Sequence, residues 1–283
     1  MDIKLNDYSV AECIHGIMIW PKNDSVIGPC LNKYGEWAEG ENIIMSNYIN
    51  EGDTVIDVGA NLGTTVLSMS KKVGVSGKVI AFEPQQIMSQ CLNTTLSLNG
   101  VSNVHVYNMA ISNQNDWTYI NDNKFTEIGR YGEAGISENG TNGTRIKTIT
   151  LDELDVDKCD LVKIDIEGHE WEAVQGGQKF LNKHKPVMYM EAKRSEIGTK
   201  KYIKWLMDNG WICYWHFASW FREKNYYQCS ENDLFPNVGD MNILAIHKTK
   251  NQTNDLLRLE KFDEEWSEQK LNNFYDQNNL EII

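Results

Sequence analysis

Two short segments of this 283-residue chain combine glycines with acidic side chains at spacings that could do chemistry. Residues 57–63 read Asp-Val-Gly-Ala-Asn-Leu-Gly, and residues 163–170 read Lys-Ile-Asp-Ile-Glu-Gly-His-Glu. Each follows a short apolar run typical of a buried strand, so each is predicted to be a strand-to-helix turn. Because ligands of open α/β sheets bind outside the carboxyl ends of the strands, both turns are predicted to open on the same edge of one sheet.

The first turn favours a nucleoside ligand that carries no phosphates. A P-loop needs Lys-Ser/Thr after its last glycine, whereas Thr64 and Thr65 follow Gly63 here. A dinucleotide-binding turn has the spacing Gly-x-Gly-x-x-Gly, and Asn61 stands where the second glycine would admit the pyrophosphate. The spacing therefore disfavours both ATP-type and nicotinamide-type ligands.

S-adenosylmethionine is a phosphate-free nucleoside, and the sequence has acids where this ligand would need them. Its amino-acid end would meet Asp57 and the 59–63 turn, where Gly59 lets the backbone approach a ligand closely. Its ribose diol would meet Glu83, which directly follows the strand ending at Phe82. A dinucleotide fold would also place an acid near this point, so the combination of turn and acid carries the argument.

The second turn holds the main candidates for a catalytic base. Clustered carboxylates raise one another's pKa, so Asp165 or Glu167 could accept a proton near neutral pH. Glu191, His169 and His216 are further candidates. The two histidines are included because histidine is the natural base in this pH range. The same carboxylates allow a divalent metal ion but do not require one.

The elements around these turns predict a doubly wound, mostly parallel α/β sheet. Strands and helices alternate at a length that implies right-handed crossovers. The helix before Asn99-Gly100 is predicted to turn Ile87, Cys91, Thr95 and Leu98 inward. Between residues 116 and 150 the pattern breaks, and hairpins and a loop are predicted. The predicted strands cover residues 54–58, 78–82, 104–107, 160–165, 186–190, 211–215 and 242–246.

Three regions are predicted along the chain. Residues 1–50 form an N-terminal cap segment, residues 51–248 form the S-adenosylmethionine-binding domain, and residues 249–283 form an acidic C-terminal tail.

Composition excludes some partners and favours a cytoplasmic protein. A net charge of −13 argues against nucleic acid, which is bound by basic surfaces. The six cysteines include no CxxC pair and are interpreted as free thiols in a reducing compartment. The N-terminus lacks the basic start and apolar run of a signal peptide, and no segment approaches the ~20 apolar residues of a membrane span.

Several of these motifs, in this order, resemble those of the FkbM-type methyltransferases. The matching segments are residues 34–37, 55–63, 81–85, 150–154, 163–168 and 189–191, with a weaker likeness through 214–216 and 242–244. The resemblance implies the class I methyltransferase fold, with seven strands of which the last is antiparallel. It also implies methyl transfer to oxygen on a sugar or a polyketide-type natural product.

The loop reasoning and the resemblance together give two sets of predicted site residues. The resemblance places Asp57, Gly59, Asn61 and Glu83 on cofactor positions. The full predicted cofactor-binding set is Glu36, Asp57, Gly59, Ala60, Asn61, Gly63, Glu83, Pro84, Ala110 and Asp165. The predicted catalytic set is Asp165, Glu167, His169, Glu191 and His216, with no metal ligand assigned.

The acceptor does not follow from the resemblance, because the chain departs from the family where substrate could be recognised. His169 stands where the family often has Met, and residues 128–132 only faintly echo an Asn-Phe-Gly-Gly stretch. The aromatic side chains of residues 211–227 could stack on sugar rings or pack in the core. The expected partner is a small-molecule or glycan acceptor with a free hydroxyl, and a homo-oligomer is compatible with the sequence.

Three other functions remain open at this point. One is a methyltransferase that acts on nitrogen or on a protein side chain. Another is a binding module that keeps the S-adenosylmethionine site without chemistry. The third, a nicotinamide-dependent oxidoreductase, is disfavoured by the spacing of the first turn.

Overall fold

A computed structural model describes residues 7–121, 127–133, 135–136, 143–193, 197–232 and 234–278. Within these residues the chain forms strands and helices in the following order. The strands are β1 (Tyr8–Cys13), β2 (Gly16–Pro21), β3 (Thr54–Val58), β4 (Lys78–Phe82), β5 (Val104–Tyr107), β6 (Ala110–Ile111), β7 (Asp116–Ile120), β8 (Thr144–Ile149), β9 (Leu161–Ile164), β10 (Val187–Glu191), β11 (Trp211–Ser219), β12 (Gly239–His247) and β13 (Leu257–Arg258). The helices are α1 (Ile27–Tyr34), α2 (Glu39–Ser46), α3 (Thr64–Val73), α4 (Gln86–Leu98), α5 (Glu170–Gln175), α6 (Gln178–His184), α7 (Ile197–Asp208) and α8 (Glu268–Asn278).

The central sheet confirms the predicted doubly wound, mostly parallel α/β architecture. Its strand order is β13-β11-β12-β10-β9-β3-β4-β5. Strands β10, β9, β3, β4 and β5 are parallel, and β12 runs antiparallel to both β10 and β11. The two-residue strand β13 extends the seven predicted strands at one edge by pairing with β11. The chain reverses its direction of travel across the sheet between β3 and β9, which is where ligands of such sheets bind.

Helices cover both faces of the sheet, as parallel strands require. On one face, Ile56, Val162 and Met188 pack against α5, α6, α7 and α8 in a single apolar cluster. On the other face, Val55 and Leu161 pack against α2, α3 and α4. Because successive side chains of a strand point to opposite faces, the central strands carry apolar side chains on both faces, with the buried Asp57 of β3 and Lys163 of β9 as charged exceptions.

Two smaller units flank the sheet. The hairpin of β1 and β2 packs with α1 against α4, through a separate apolar cluster. Strands β6, β8 and β7 form a three-stranded sheet in which β7 and β8 are antiparallel. This pair is the hairpin predicted between residues 116 and 150, and much of its connection lies outside the described residues.

The segments predicted as a cap and a tail both contribute ordered elements. Residues 7–46 supply β1, β2, α1 and α2, while β13 and α8 lie beyond residue 248. Leu271 and Tyr275 of α8 belong to the main apolar cluster. The division of the chain at residues 50 and 248 stays a prediction.

Two further properties concern the cysteines and the length of the helices. All six cysteines carry free thiols, and five of them are buried. Burial raises the pKa of the Cys13, Cys30 and Cys91 thiols to about 12, so these thiols stay protonated and unreactive at neutral pH. Among the helices of the described residues, none has the length and apolar character needed to cross a bilayer.

Candidate active site

A cavity of about 390 Å³ opens at the carboxyl ends of β3, β4, β9 and β10. Its lining includes the turn after β3, the residues after β4, the turn after β9 and the end of β10. The segment between α1 and α2 and the residues around the β11–β12 connection also contribute. Both turns identified in the sequence therefore meet at one cavity, at the point where the strand order reverses.

The turn after β3 is held against the turn after β9. Gly59 has a φ of 90°, and a Cβ built on it would lie only 1.8 Å from the carbonyl oxygen of Asp165. The N–H groups of Gly59 and Ala60 both donate to the carbonyl of Phe82, at 2.9 and 3.0 Å. Glycine is needed here because backbone from the second turn occupies the space that a side chain would take.

Glu83 lies in the cavity wall at the end of β4 and is almost fully buried. Its Oε2 accepts from the N–H of Asn61 at 2.8 Å, and its Oε1 accepts from the N–H of Gln85 at 2.7 Å. Burial raises the pKa of Glu83 to about 7, although these two hydrogen bonds favour the ionised form. A carboxylate can accept about four hydrogen bonds, so each oxygen retains capacity for a further donor.

Asp57 lies behind the lining of the cavity, where it supports a buried lysine. Its Oδ2 accepts from the hydroxyl of Thr65 at 2.5 Å, and its Oδ1 lies 3.8 Å from Nζ of Lys163. Lys163 lines the cavity and donates to Asp165 Oδ2 at 3.0 Å. Burial alone would lower the pKa of Lys163, but the carboxylates of Asp165, Asp57 and Glu41 hold it well above its ordinary value. Lys163 is therefore charged.

Three carboxyl groups, which we call the acid cluster, meet beside the second turn. Oxygen atoms of Asp165, Glu167 and Glu191 lie within 4.8 Å of one another. Lys193 Nζ lies 2.6 Å from Glu167 Oε2 and 3.8 Å from Glu191 Oε2. Burial, together with the charges of Asp165 and Glu167, raises the pKa of Glu191 to about 10, so this group keeps its proton at neutral pH. Such oxygen ligands suit Mg²⁺ or Ca²⁺, but an ion would have to displace that proton.

The two candidate histidines lie in different surroundings. His169 lines the cavity, and its Nε2 lies 3.0 Å from the hydroxyl of Ser112. Burial lowers the pKa of His169, which leaves a neutral imidazole at pH 7. His216 is not among the lining residues; its Nδ1 lies 2.8 Å from the hydroxyl of Tyr189. Burial lowers the pKa of His216 to about 4, so it also is neutral.

Glu36 and Gly63 have roles that do not bring them to the cavity surface. The Arg222 guanidinium donates to both carboxylate oxygens of Glu36, at 2.8 and 3.0 Å, and the N–H of Tyr226 donates to Oε2 at 2.9 Å. Gly63 lets α3 approach α4, since a Cβ there would lie 2.5 Å from the side chain of Leu92. Glu36 thus joins the segment after β11 to the segment after α1.

The structure brings ten of the fourteen predicted site residues to one surface. Those that line the cavity are Gly59, Ala60, Asn61, Glu83, Pro84, Ala110, Asp165, Glu167, His169 and Glu191. Those that lie outside its lining are Glu36, Asp57, Gly63 and His216. The catalytic and cofactor-binding roles of both groups stay predictions.

Sequence reasoning missed four lining residues that form one connected wall. Trp220 Nε1 donates to Asp240 Oδ2 at 2.6 Å, and its ring lies 4.7 Å from that of Trp37. Glu41, in the first turn of α2, is buried beside them and accepts from Asn242 at 3.2 Å. Burial raises the pKa of Glu41 to about 8 and that of Asp240 to about 7. Trp37 had a sequence signal through the matching segment 34–37 and Trp220 through the aromatic run of residues 211–227, whereas Glu41 and Asp240 had none.

Comparison with known proteins identifies one family. The sequence model of the family described as the methyltransferase FkbM domain matches residues 57–222, which is more than half of the chain. No protein in the curated set matches the chain.

Solved structures of several methyltransferases are similar to this fold. An FkbM methyltransferase from Methylobacillus flagellatus is 15% identical with a TM-score of 0.45; the match covers 68% of this chain and 43% of that one. A putative rRNA methylase from Clostridium thermocellum is 11% identical, with coverages of 75% and 96% and a TM-score of 0.47. A SAM-dependent O-methyltransferase from Thermotoga maritima is 13% identical, with coverages of 88% and 89% and a TM-score of 0.47. The chain thus spans less than half the length of the first of these proteins.

Proposed function

Because the chain belongs to the FkbM methyltransferase family, we propose that it transfers a methyl group from S-adenosylmethionine to a hydroxyl oxygen of a small-molecule or glycan acceptor. One observation carries the cofactor assignment. The Glu83 carboxylate is fixed at the end of β4 by two backbone N–H groups, and both of its oxygens retain acceptor capacity. A vicinal diol is the ligand group that matches two such oxygens.

The other lining residues are consistent with this cofactor. Met109, Ala110 and Ile111 offer apolar contacts for the adenine ring, and the charged Lys163 would neutralise the carboxylate of the amino-acid end. The turn after β3 has Asn61 where a dinucleotide-binding turn has the glycine that admits the pyrophosphate. The spacing of this turn supports S-adenosylmethionine over a nicotinamide dinucleotide.

When bound, the cofactor supplies an activated methyl group on a sulfonium centre. The protein's part is to hold the acceptor oxygen in line and to receive its proton. We assign the proton to Asp165, because its carboxylate belongs to the acid cluster while its backbone contacts Gly59 of the first turn. As the acceptor oxygen gains the methyl group, its proton passes to this carboxylate, whose side chain is 36% exposed and can return the proton to water.

The other candidate bases have more constrained surroundings. Glu167 is held by Lys193 at 2.6 Å, and Glu191 keeps its own proton at neutral pH, so it would donate a hydrogen bond to the acceptor. His169 is the alternative base, since it is neutral and lines the cavity. His216 does not line the cavity, and its Nδ1 lies 2.8 Å from the hydroxyl of Tyr189. It would therefore act on the acceptor only through Tyr189.

Two measurements test the proposal. Isothermal titration calorimetry should detect binding of S-adenosylhomocysteine and no binding of NADH; the reverse result would overturn the cofactor assignment. Incubation with S-adenosylmethionine and hydroxylated acceptors should form S-adenosylhomocysteine, and mass spectrometry of the product locates the methyl group on oxygen, nitrogen or protein. Binding without turnover across the acceptors would instead support the non-catalytic module.

A further inference from the structure

The cavity has a wall that the cofactor assignment leaves unused. It consists of Trp37, Glu41, Trp220 and Asp240, which we call the acceptor wall. Trp37 lies before α2, Glu41 lies in the first turn of α2, Trp220 directly follows β11, and Asp240 lies near the start of β12. The charge of Asp240 acts on Glu41, and the charges of Asp165 and Glu167 act on Asp240. The wall therefore adjoins the acid cluster, where the proposed base lies.

The two tryptophans of the wall are held in place before any ligand binds. Trp220 is fixed by its hydrogen bond to Asp240 and by its contact with Trp37. The chain immediately after Trp220 is anchored by the paired bonds between Arg222 and Glu36. A rigid aromatic surface of this kind suits the apolar face of a ring, because little side-chain freedom is lost on binding.

The charged groups beside the wall set a second condition. The carboxyl groups of the acceptor wall and the acid cluster are five in number. The nearby Lys163 and Lys193 both donate to carboxylates of the acid cluster, at 3.0 and 2.6 Å. Hydroxyl or ammonium donors would be stabilised by these carboxyl groups. Above about pH 8, where Asp240 and Glu41 are largely ionised, an anionic group would face like charge in a site of low dielectric.

We propose that the acceptor wall binds a hydroxylated ring that bears no anionic group, with the ring's apolar face against Trp220 and its hydroxyls or an ammonium group toward Asp240 and Glu41. A neutral saccharide or an amino sugar meets these conditions, and a uronic acid or a sugar phosphate does not. This inference rests on the proposed function, because it identifies the second substrate of the same cavity.

The test uses matched saccharides and the full-length protein saturated with S-adenosylhomocysteine. Methyl glycosides of the gluco, galacto and manno series are compared as neutral sugar, 2-amino sugar and uronate, by saturation-transfer NMR and titration at about pH 8.5, where Asp240 and Glu41 are largely ionised. We expect the neutral or amino form of at least one series to bind at least tenfold more tightly than its uronate. Equal or tighter binding of the uronates, or no binding by any neutral or amino form, overturns the inference.

Variants separate the role of the wall from effects on folding. Trp220→Ala should weaken binding of the preferred saccharide at least fivefold, while Trp117→Ala, which removes a half-exposed tryptophan outside the cavity, should not. Asp240→Asn should reduce the preference against the uronate, with the neutral sugar as the internal reference; an unchanged preference would contradict the charge argument. Trp220→Phe gives a second, milder variant that keeps a ring but loses the bond to Asp240.

The cofactor measurement keeps the two proposals distinguishable. If S-adenosylhomocysteine binds and the saccharides do not follow the expected order, the inference about the acceptor fails and the methyltransferase proposal stands. If S-adenosylhomocysteine does not bind, the proposed function itself fails.

Discussion

Replacing Glu83 with glutamine tests the cofactor assignment most directly. The ionised carboxylate would accept both ribose hydroxyls, while it keeps its bonds from the N–H groups of Asn61 and Gln85. A glutamine retains one acceptor oxygen, so about one charge-assisted hydrogen bond to the ligand is lost, about 1.5–3 kcal/mol. This corresponds to a rise of roughly 10- to 150-fold in the dissociation constant.

The pH dependence of binding gives the same prediction an independent check. Since burial raises the pKa of Glu83 to about 7, the free protein holds this group largely protonated at pH 6 and largely ionised at pH 8. The ionised form is the better acceptor for the diol, so protons compete with the ligand below pH 7. If only the ionised form binds, affinity should rise about tenfold from pH 6 to pH 8 in the wild-type protein. Glu83→Gln should lack this contribution.

Calorimetry with S-adenosylhomocysteine measures both effects, and Glu153→Gln provides a control because Glu153 is an exposed carboxylate outside the cavity lining. A thermal melt of Glu83→Gln should accompany the calorimetry to show that the variant is folded. The new amide nitrogen would face a backbone N–H of Asn61 or Gln85, and two facing donors destabilise the fold. The reasoning is refuted if the folded variant binds within threefold of wild type at pH 8, or if wild-type affinity is the same at pH 6 and pH 8.

Four further predictions follow from the same geometry. Asp165→Asn should reduce turnover at least 100-fold while S-adenosylhomocysteine binds within a few-fold of wild type, since a base of this kind contributes ~10²–10⁴ in rate; near-normal turnover would remove Asp165 from the role. Gly59→Ala should lower the free energy of unfolding by about 3 kcal/mol through overpacking and backbone strain, whereas Gly100→Ala, with a φ of 64° and nothing within 4 Å of its Cβ, should cost about 1 kcal/mol. The free energy of unfolding should fall as pH rises from 5 to 8, because Glu41 and Glu191 have raised pKa values in the folded protein and the unfolded chain binds fewer protons in this pH range. Glu41→Gln or Glu191→Gln should each reduce the slope of unfolding free energy against pH by up to about 1.4 kcal/mol per pH unit. Turnover should survive EDTA, because Lys193 already supplies a positive charge to the acid cluster, and loss of activity restored by Mg²⁺ would show that an ion is required.

The central strands were predictable because their signals are local. Strands β3, β4 and β5 have the predicted bounds, because turn residues mark both ends of each mainly apolar run. Helix periodicity was less exact: Cys91 and Thr95 are buried, but Leu98 is 46% exposed. The buried side of α4 instead includes Leu92, which packs toward the central sheet, and Met88, which packs in the cluster of the β1–β2 hairpin. Hydrogen bonds link β2 to Thr95 and Asn99 across 76 and 82 residues of sequence, so periodicity alone does not reveal the packing of β2 on this helix.

The cavity was predictable where a residue follows a strand and unpredictable where a distant segment joins it. Glu83 directly follows β4 and Asp165 directly follows β9. Because the carboxyl ends of parallel strands meet at one edge of a sheet, the sheet alone brings these two residues together. Glu36 was predicted to bind cofactor, but its partner Arg222 lies 186 residues away. Trp37 and Asp240 reach the cavity only through tertiary packing of this kind. Spacing in the sequence contains no information about such pairs.

Asp57 illustrates how the two turns act as one electrostatic unit. An acid at the end of the first strand is naturally interpreted as a cofactor ligand, yet here its carboxylate is buried behind the cavity lining and lies 3.8 Å from Lys163. Lys163 in turn bonds to Asp165, so one ammonium group balances a carboxylate from each turn. Without Asp57 the pKa of the buried Lys163 would be lower. If Lys163 lost its charge, Asp165 would lose the ion pair that fixes its orientation. Asp57 would therefore support the proposed base through Lys163 without contacting the cofactor.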